Sequence, residues 1–132
     1  MANIEVTRGA FERLLAEAKA AAPNEACGLL LGHRGHIEAV VLAQNVHPDP
    51  ATHFEIDPQA LIDAHRAARS GGPEVIGYYH SHPTGGAEPS PADIAGAEND
   101  GKVWAIVANG TVRFWRAGDG GFDELPTGVH NR

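Results

Sequence analysis

The sequence predicts an α/β protein in which helices pack on a mixed sheet. Three observations support this fold class. Residues 26–32 form a continuous apolar run, which is typical of a strand buried on both faces. Helical and strand patterns alternate along the chain, and Asn109-Gly110 lies between two apolar runs, which is a strong hairpin signal. Together they favour an α/β sandwich with a mixed sheet and flanking helices.

The first half of the chain divides into two strand and helix groups. Thr7 is placed to cap the first helix, and Asp57 with Pro58 opens the second. Pro48 and Pro50 indicate an irregular connection between the groups. The predicted elements are a strand at Ile4–Val6, a helix at Arg8–Ala21, strands at Ala26–Gly32, Ile37–Leu42 and His53–Ile56, and a helix from Pro58 to about Ser70.

The second half contains a third helix among further strands. A Gly- and Pro-rich loop, Thr84–Pro89, separates a strand from this helix, and we expect the loop to be mobile until a ligand binds. The predicted elements are a strand at Glu74–Tyr79, a helix from Ser90 to about Ala97, and strands at Val103–Ala108, Thr111–Trp115 and Phe122–Leu125. We assign residues 1–126 to one domain and residues 127–132 to a flexible tail.

Composition narrows the range of partners. The 132 residues carry a formal net charge of −7 without a cluster of Lys or Arg, which argues against nucleic acid as a partner. Cys27 is the sole cysteine, so an intramolecular disulfide is excluded and a reducing compartment is favoured. We find no apolar stretch long enough to span a membrane and no basic segment near Met1. We therefore expect a cytoplasmic protein.

Two histidines at the end of a strand suggest a metal site. His80 and His82 are one residue apart, so their side chains project to the same side of an extended backbone. Their imidazoles can then converge on one zinc ion at a distance of about 2 Å. Asp93 would supply an oxygen as the third ligand and leave a fourth position for water. A His-x-His pair by itself is also typical of a polar strand end.

The residues that follow have both a structural and a chemical interpretation. Ser90, Pro91 and Asp93 occupy the N-cap, N1 and N3 positions of a helix start, which requires no chemistry. The combination of Ser90 and Asp93 with the two histidines in one strand–loop–helix unit favours a metal site.

The other histidines and the cysteine favour structural interpretations. We interpret His33 and His36 as solvated turn residues beside Arg34, and Cys27 as a small buried strand residue. The remaining histidines are read as packed or surface residues, namely His47, His53 and His65.

These motifs resemble the JAMM (MPN+) metalloprotease family. The resemblance rests on His80-Ser81-His82-Pro83, the ten-residue gap to Asp93, Pro89-Ser90-x-x-Asp93 and the upstream run that begins at Glu25. It extends from about Ile4 to about Trp115 and implies a cytidine-deaminase-like architecture. It also implies that His80, His82 and Asp93 hold Zn²⁺, while Glu25 acts as general base. Without the resemblance, Glu25 is a carboxylate at a strand edge. Ser90 is a candidate oxyanion donor, a helix cap, or both.

The resemblance implies hydrolysis of a peptide or isopeptide bond after the C-terminal Gly-Gly of a ubiquitin-like protein. Small bacterial members of the family act on ubiquitin-like sulfur carriers, which we expect as the partner here. A chain of 132 residues has little space for insertions that grip a second ubiquitin. The oligomeric state cannot be read from the sequence.

Three alternatives remain open at this point. His-x-His with a carboxylate also suits Fe(II) in a facial triad, although the Pro-Cys-x-x-Cys motif of zinc deaminases is absent. A non-catalytic scaffold of the MPN type is the second alternative, but such relatives lose motif residues and none is lost here. The third is a DNA-repair-associated relative, against which the acidic charge counts.

Overall fold

The computed structural model describes residues 4–98, 100–118 and 121–130. Within these ranges all eight strands belong to one mixed sheet, and three helices accompany it. The strands are β1 (Ile4–Thr7), β2 (Cys27–His33), β3 (His36–Ala43), β4 (Glu74–Ser81), β5 (Val103–Ala108), β6 (Thr111–Gly118), β7 (Gly121–Leu125) and β8 (Thr127–His130). The helices are α1 (Arg8–Ala21), α2 (Pro58–Arg69) and α3 (Pro91–Gly96).

The order of strands in the sheet is β7-β6-β5-β4-β2-β3-β1-β8. The pairs β4/β5, β1/β3 and β1/β8 are parallel, and the other neighbouring pairs are antiparallel. The central strands β2 and β4 are therefore covered on both edges. This position explains why the 26–32 run is almost wholly apolar. The mixed sheet with flanking helices confirms the predicted fold class.

Helices α1 and α2 pack in different apolar clusters of the sheet. Leu14 of α1 lies in the same cluster as Leu30 of β2 and Tyr79 of β4. Leu61 of α2 packs against a second cluster that contains Leu29 and Val75. Neighbouring residues of β2 thus face opposite sides, as strand alternation requires. His80 follows Tyr79, so its ring lies on the face opposite α1.

The helix predictions are confirmed, with small shifts at the ends. The first helix has the predicted bounds, and the Thr7 hydroxyl accepts a hydrogen bond from the Ala10 amide at 3.1 Å. The second begins at Pro58 after the Asp57 cap, as predicted. The third spans only six residues after its Ser90 cap. No helix within the described ranges is long and apolar enough to cross a membrane.

Two predictions about extended segments are wrong. His53–Ile56 is not a strand, because the segment makes only an isolated bridge between Ile56 and Asn45. The tail predicted at residues 127–132 is a strand over Thr127–His130, which pairs in parallel with β1. This pairing depends on a free edge of β1, which no local pattern in residues 127–130 reveals. Residues 131–132 lie outside the described residues.

Candidate metal centre

Three predicted ligands converge at the end of β4 and the start of α3. The Nε2 atoms of His80 and His82 lie 3.2 Å apart, and each lies 3.0 Å from Oδ2 of Asp93. The side chains of His80, His82 and Asp93 are only 0%, 9% and 7% exposed, so water screens them weakly. The three donor atoms are 3.0–3.2 Å apart, which is close enough for all of them to bind one zinc ion at its usual bond length of about 2.0–2.1 Å.

Strand β4 explains how the two histidines reach one point. His80 is in β4, and the His82 amide continues the extended pairing by donating to the Val107 carbonyl at 2.8 Å. The backbone is therefore still extended at His82, and both rings project to the same side.

A capping box positions the third group. The Ser90 hydroxyl accepts a hydrogen bond from the Asp93 amide at 3.1 Å, and Oδ2 of Asp93 accepts one from the Ser90 amide at 2.9 Å. The helix start and the metal-ligating geometry thus use the same carboxylate. Because the capping hydroxyl uses only a lone pair, its proton remains free to donate elsewhere. The two interpretations of Ser90 are therefore compatible.

A backbone carbonyl sets the tautomer of His82. Its Nδ1 lies 2.7 Å from the carbonyl oxygen of Gly86, which can only accept, so Nδ1 carries the proton. A neutral His82 then turns the lone pair of Nε2 toward Oδ2 of Asp93 and Nε2 of His80. Such a set of lone pairs and a carboxylate repels itself unless a cation or proton lies between them. The donor set therefore fits a divalent cation.

The loop that carries Gly86 is anchored to the sheet. Trp115 donates from its indole nitrogen to the Ala87 carbonyl at 3.1 Å, and Arg113 pairs with Glu88 at 3.1 Å. The loop was expected to be mobile before ligand binding, and these contacts hold its second half in place.

Aromatic contacts hold the His80 ring in place, although its Nδ1 atom makes no hydrogen bond within the described part of the chain. Its Nδ1 is buried without a hydrogen-bond partner among the described residues. The ring stacks on Phe54 with centroids 4.3 Å apart and meets the edge of Trp104 at 5.5 Å. The role of Phe54 as a support for the site could not be predicted, because a ring contact between distant segments leaves no local signal in the sequence.

Glu25 lies beside this cluster and has an unusual environment. The residue is 5% exposed, and its Oε1 has no hydrogen-bond partner among the described residues. Burial raises the pKa of Glu25 to about 7, and interactions with His82 and Asp93 act on it in opposite directions. These interactions place its carboxyl within electrostatic reach of both groups.

Two side chains for which the sequence predicted no role fix the backbone around Glu25. The buried Ser81 hydroxyl accepts a hydrogen bond from the Ala26 amide at 2.8 Å. Asn45 donates from its amide to the Glu25 carbonyl at 3.1 Å. The beginning of strand β2, shortly after Glu25, is thereby held next to β4. A motif search centred on metal ligands passes over both residues.

The pKa values of the two histidines in the cluster are shifted in opposite directions. Burial lowers the pKa of His80 despite its contact with Asp93, whereas the hydrogen bond to Asp93 raises the pKa of His82. Burial raises the pKa of Asp93, but His80 and His82, which can donate to it when protonated, outweigh burial and leave its pKa well below the usual range. Asp93 is therefore ionised at neutral pH and available to a cation.

The other histidines and Cys27 lie outside the cluster of His80, His82 and Asp93, and His47 and His53 form with Asp49 a second group of side chains that could hold a metal ion. His33 and His36 are exposed and flank the turn between β2 and β3. Cys27 is fully buried, and burial raises the pKa of its thiol to about 12, which makes it a poor nucleophile at neutral pH. His47 and His53 stack on each other with centroids 4.7 Å apart.

Two curated proteins are similar to part of this chain. One is named a probable TtuB-protein conjugate cleaving protease, from Thermus thermophilus, and is 44% identical over 89 residues. The match covers 67% of this chain and 60% of that protein. The other is named a desampylase, from Haloferax volcanii, and is 33% identical over 88 residues, covering 65% of this chain and 63% of that protein. The chain thus matches less than two thirds of either relative.

A solved structure and a family model cover more of the chain. A protein from Desulfitobacterium hafniense, determined in solution, superposes with a TM-score of 0.88 at 30% identity, over 98% of this chain and 94% of that one. The model described as prokaryotic homologs of the JAB domain matches residues 7–118. This range includes the His80, His82 and Asp93 cluster and its neighbour Glu25. The chain therefore belongs to the family of prokaryotic JAB-domain homologs.

Proposed function

We propose that this protein is a zinc-dependent peptidase that cleaves after the C-terminal Gly-Gly of a ubiquitin-like protein, of the sulfur-carrier type. The observation that carries this proposal is the cluster of His80, His82 and Asp93 next to the buried carboxyl of Glu25. Three ligands with an open fourth position are typical of catalytic rather than structural zinc. One relative is named a probable conjugate cleaving protease and the other a desampylase, and we take the first name as support for the substrate class.

A bound zinc ion would supply a Lewis acid that polarises the scissile carbonyl and acidifies a water molecule. His80, His82 and Asp93 would hold it. All three are then occupied as ligands, so a different group must move the proton.

Glu25 is the group available for that proton transfer. Its Oε1 has no other hydrogen-bond partner among the described residues, and its pKa of about 7 lies near neutral pH. A base with such a pKa can take a proton from water and return it to the leaving amine. Cys27 is excluded as a nucleophile by its raised pKa.

Ser90 is the candidate donor to the carbonyl oxygen that is attacked. Its hydroxyl accepts from the Asp93 amide, and its own proton is therefore available for the developing negative charge. The rest of its role is to fix the start of α3.

We propose that the substrate tail binds in an extended form, through main-chain hydrogen bonds to a strand edge. A side chain near the scissile bond would collide with the loop after His82 and the strands that flank the site, which favours glycine at these positions of the tail. Because glycine loses the most freedom on binding, the folded body of the carrier should supply compensating contacts. We also propose a cytidine-deaminase-like architecture in one domain and a cytoplasmic location, the last supported by the single cysteine.

The decisive experiment compares cleavage of three substrates by the zinc-loaded protein. They are a ubiquitin-like carrier joined to an amine through its Gly-Gly end, the same conjugate with Gly→Ala in the tail, and the isolated tail peptide. We expect the intact conjugate to be cleaved fastest, and Glu25→Gln to retain zinc while turnover falls at least ~100-fold. Equal rates for the three substrates would refute the carrier proposal. Full zinc occupancy without cleavage would indicate a non-catalytic scaffold.

A further inference from the structure

An open groove of about 630 Å³ lies next to the metal cluster and shares Asp93 with it. Aromatic rings form much of its lining. Trp104 is only 8% exposed and meets the edges of Phe54 and Tyr78, with centroids 5.8 and 6.5 Å apart. These rings are held by the β4 and β5 strands and by the segment before α2. The groove is therefore a preformed aromatic surface beside the reacting centre.

Carboxylates surround this aromatic surface. Glu55, Glu98 and Asp100 line the groove and are exposed, and none of the described lining residues is Lys or Arg. Burial raises the pKa of Tyr78, and the charges of Asp100 and Glu98 raise it further, which places both charges close to the ring. The amide of Lys102 donates to Oδ1 of Asp100 at 3.0 Å, so this carboxylate is held in position.

We propose that this groove binds a basic side chain, Lys or Arg, that lies within a few residues of the scissile bond. The inference rests on the proposed function, and it adds a charge preference to the Gly-Gly requirement. A long basic side chain suits both parts of the groove, since its stem covers apolar surface while its cation reaches the carboxylates. The guanidinium or ammonium group can also lie over an aromatic face.

Other occupants match the groove less well. An anionic side chain would be repelled by the exposed carboxylates of Glu55, Glu98 and Asp100, and the described lining residues include no Lys or Arg to compensate them. A purely apolar side chain would use the rings but leave the carboxylates without a partner. Because Asp93 belongs to both the groove and the metal cluster, an occupant of the groove lies only a few residues from a bond held at the metal.

Binding of labelled product peptides tests the proposal without requiring cleavage. The probes are peptides that end in Gly-Gly with Arg at one of the four preceding positions, and Lys-centred acceptor peptides with Arg nearby. Each is paired with a version that has norleucine in place of Arg. Fluorescence anisotropy with the zinc-loaded full chain measures affinity. The groove variant carries Glu98→Gln and Asp100→Asn. The control variant carries Glu12→Gln and Glu38→Gln, which remove the same charge from other exposed positions.

We expect an Arg peptide to bind the wild-type protein about tenfold more tightly than its norleucine partner, and the groove variant to abolish this preference. The control variant should keep it. The peptide series that shows the preference identifies the source of the basic residue, either the carrier tail or the acceptor. Equal affinity for Arg and norleucine in both series, or equal loss in the control variant, would overturn the inference. Conjugate cleavage is measured separately, so either result leaves the proposed activity with its own test.

Discussion

At the residue scale, the site combines groups that are costly to bury alone. Burial raises the pKa of Glu25, whereas hydrogen bonds within the cluster raise the pKa of His82 and lower that of Asp93. Their positions are consistent with one cation held by three ligands and a separate base. Predictions at this scale therefore concern metal binding and proton binding by single side chains.

Replacing His82 should remove the metal. We expect His82→Ala to lose zinc, because it deletes one of three ligands and leaves the fixed geometry of the other two incomplete. His36→Ala is the matched control, since His36 is an exposed histidine in a turn and should retain zinc. Elemental analysis of purified protein gives the zinc content. Full retention of zinc by His82→Ala would show that the ligand assignment is wrong.

The raised pKa of Glu25 predicts a pH-dependent stability difference in the metal-free protein. The folded pKa is about 7 against 4.5 for the ordinary group, so the fold favours the protonated acid. Its stabilising contribution is complete below about pH 4.5 and is lost as pH rises through about 7.

Glu25→Gln should remove this dependence, because the amide stays neutral. At about 1.4 kcal/mol per pKa unit, the variant should gain roughly 3 kcal/mol relative to wild type between pH 4.5 and pH 8. Urea unfolding of both proteins in the presence of a chelator measures the difference, in which the titrations of groups that do not interact with Glu25 cancel. A difference that stays constant with pH would contradict the raised pKa.

At the scale of secondary structure, the functional site depends on how elements begin and end. Strand β4 delivers His80 and continues in extended form to His82, while the first turn of α3 delivers Asp93. Replacing the N-cap residue of α3 should therefore affect both stability and turnover. Comparison with the same replacement at the N-cap of α1 separates the two effects.

Ser90→Ala and Thr7→Ala remove equivalent caps from α3 and α1. Each should lower the free energy of unfolding by about 1 kcal/mol, because one buried or half-buried amide loses its acceptor. Only Ser90→Ala should lower turnover, by roughly 10–1000-fold, if Ser90 donates to the attacked oxygen. Thermal unfolding and steady-state kinetics distinguish the two effects. Unchanged turnover in Ser90→Ala would identify Ser90 as a cap only.

At the scale of the whole molecule, the site and the β8 edge lie in separate parts of one sheet. Strands β2, β3 and β1 intervene between β4 and β8. Strand β8 pairs with β1 at four positions, and the Ile4 amide donates to the Pro126 carbonyl at 3.0 Å. Strand β8 should therefore contribute to the stability of the protein without shaping the metal cluster.

Ending the chain after Pro126 tests this separation. Loss of β8 leaves β1 with an unpaired edge, and we expect the free energy of unfolding to fall by about 1–3 kcal/mol. Zinc content should remain equal to that of the full chain, because His80, His82 and Asp93 keep all their contacts. Urea unfolding and metal analysis measure the two quantities. An unchanged unfolding midpoint would show that β8 adds nothing to stability.

The sequence by itself determined the features that depend on neighbouring residues. The caps at Thr7, Asp57 and Ser90, the hairpin at Asn109-Gly110 and the apolar run of β2 are local, so they could be predicted with nearly correct bounds. The candidate ligands could be proposed for the same reason, since a His-x-His pair at a strand end places two rings on one side.

Tertiary structure alone decided the features that require distant segments to meet. The β8 edge strand needs the free edge of β1, and the support of His80 by Phe54 and Trp104 joins three segments. The sequence nominated Glu25 only through a family resemblance, but its burial in the folded chain is what raises its pKa. Burial and long-range pairing arise from the packed sheet as a whole, so a short window of sequence carries no sign of them.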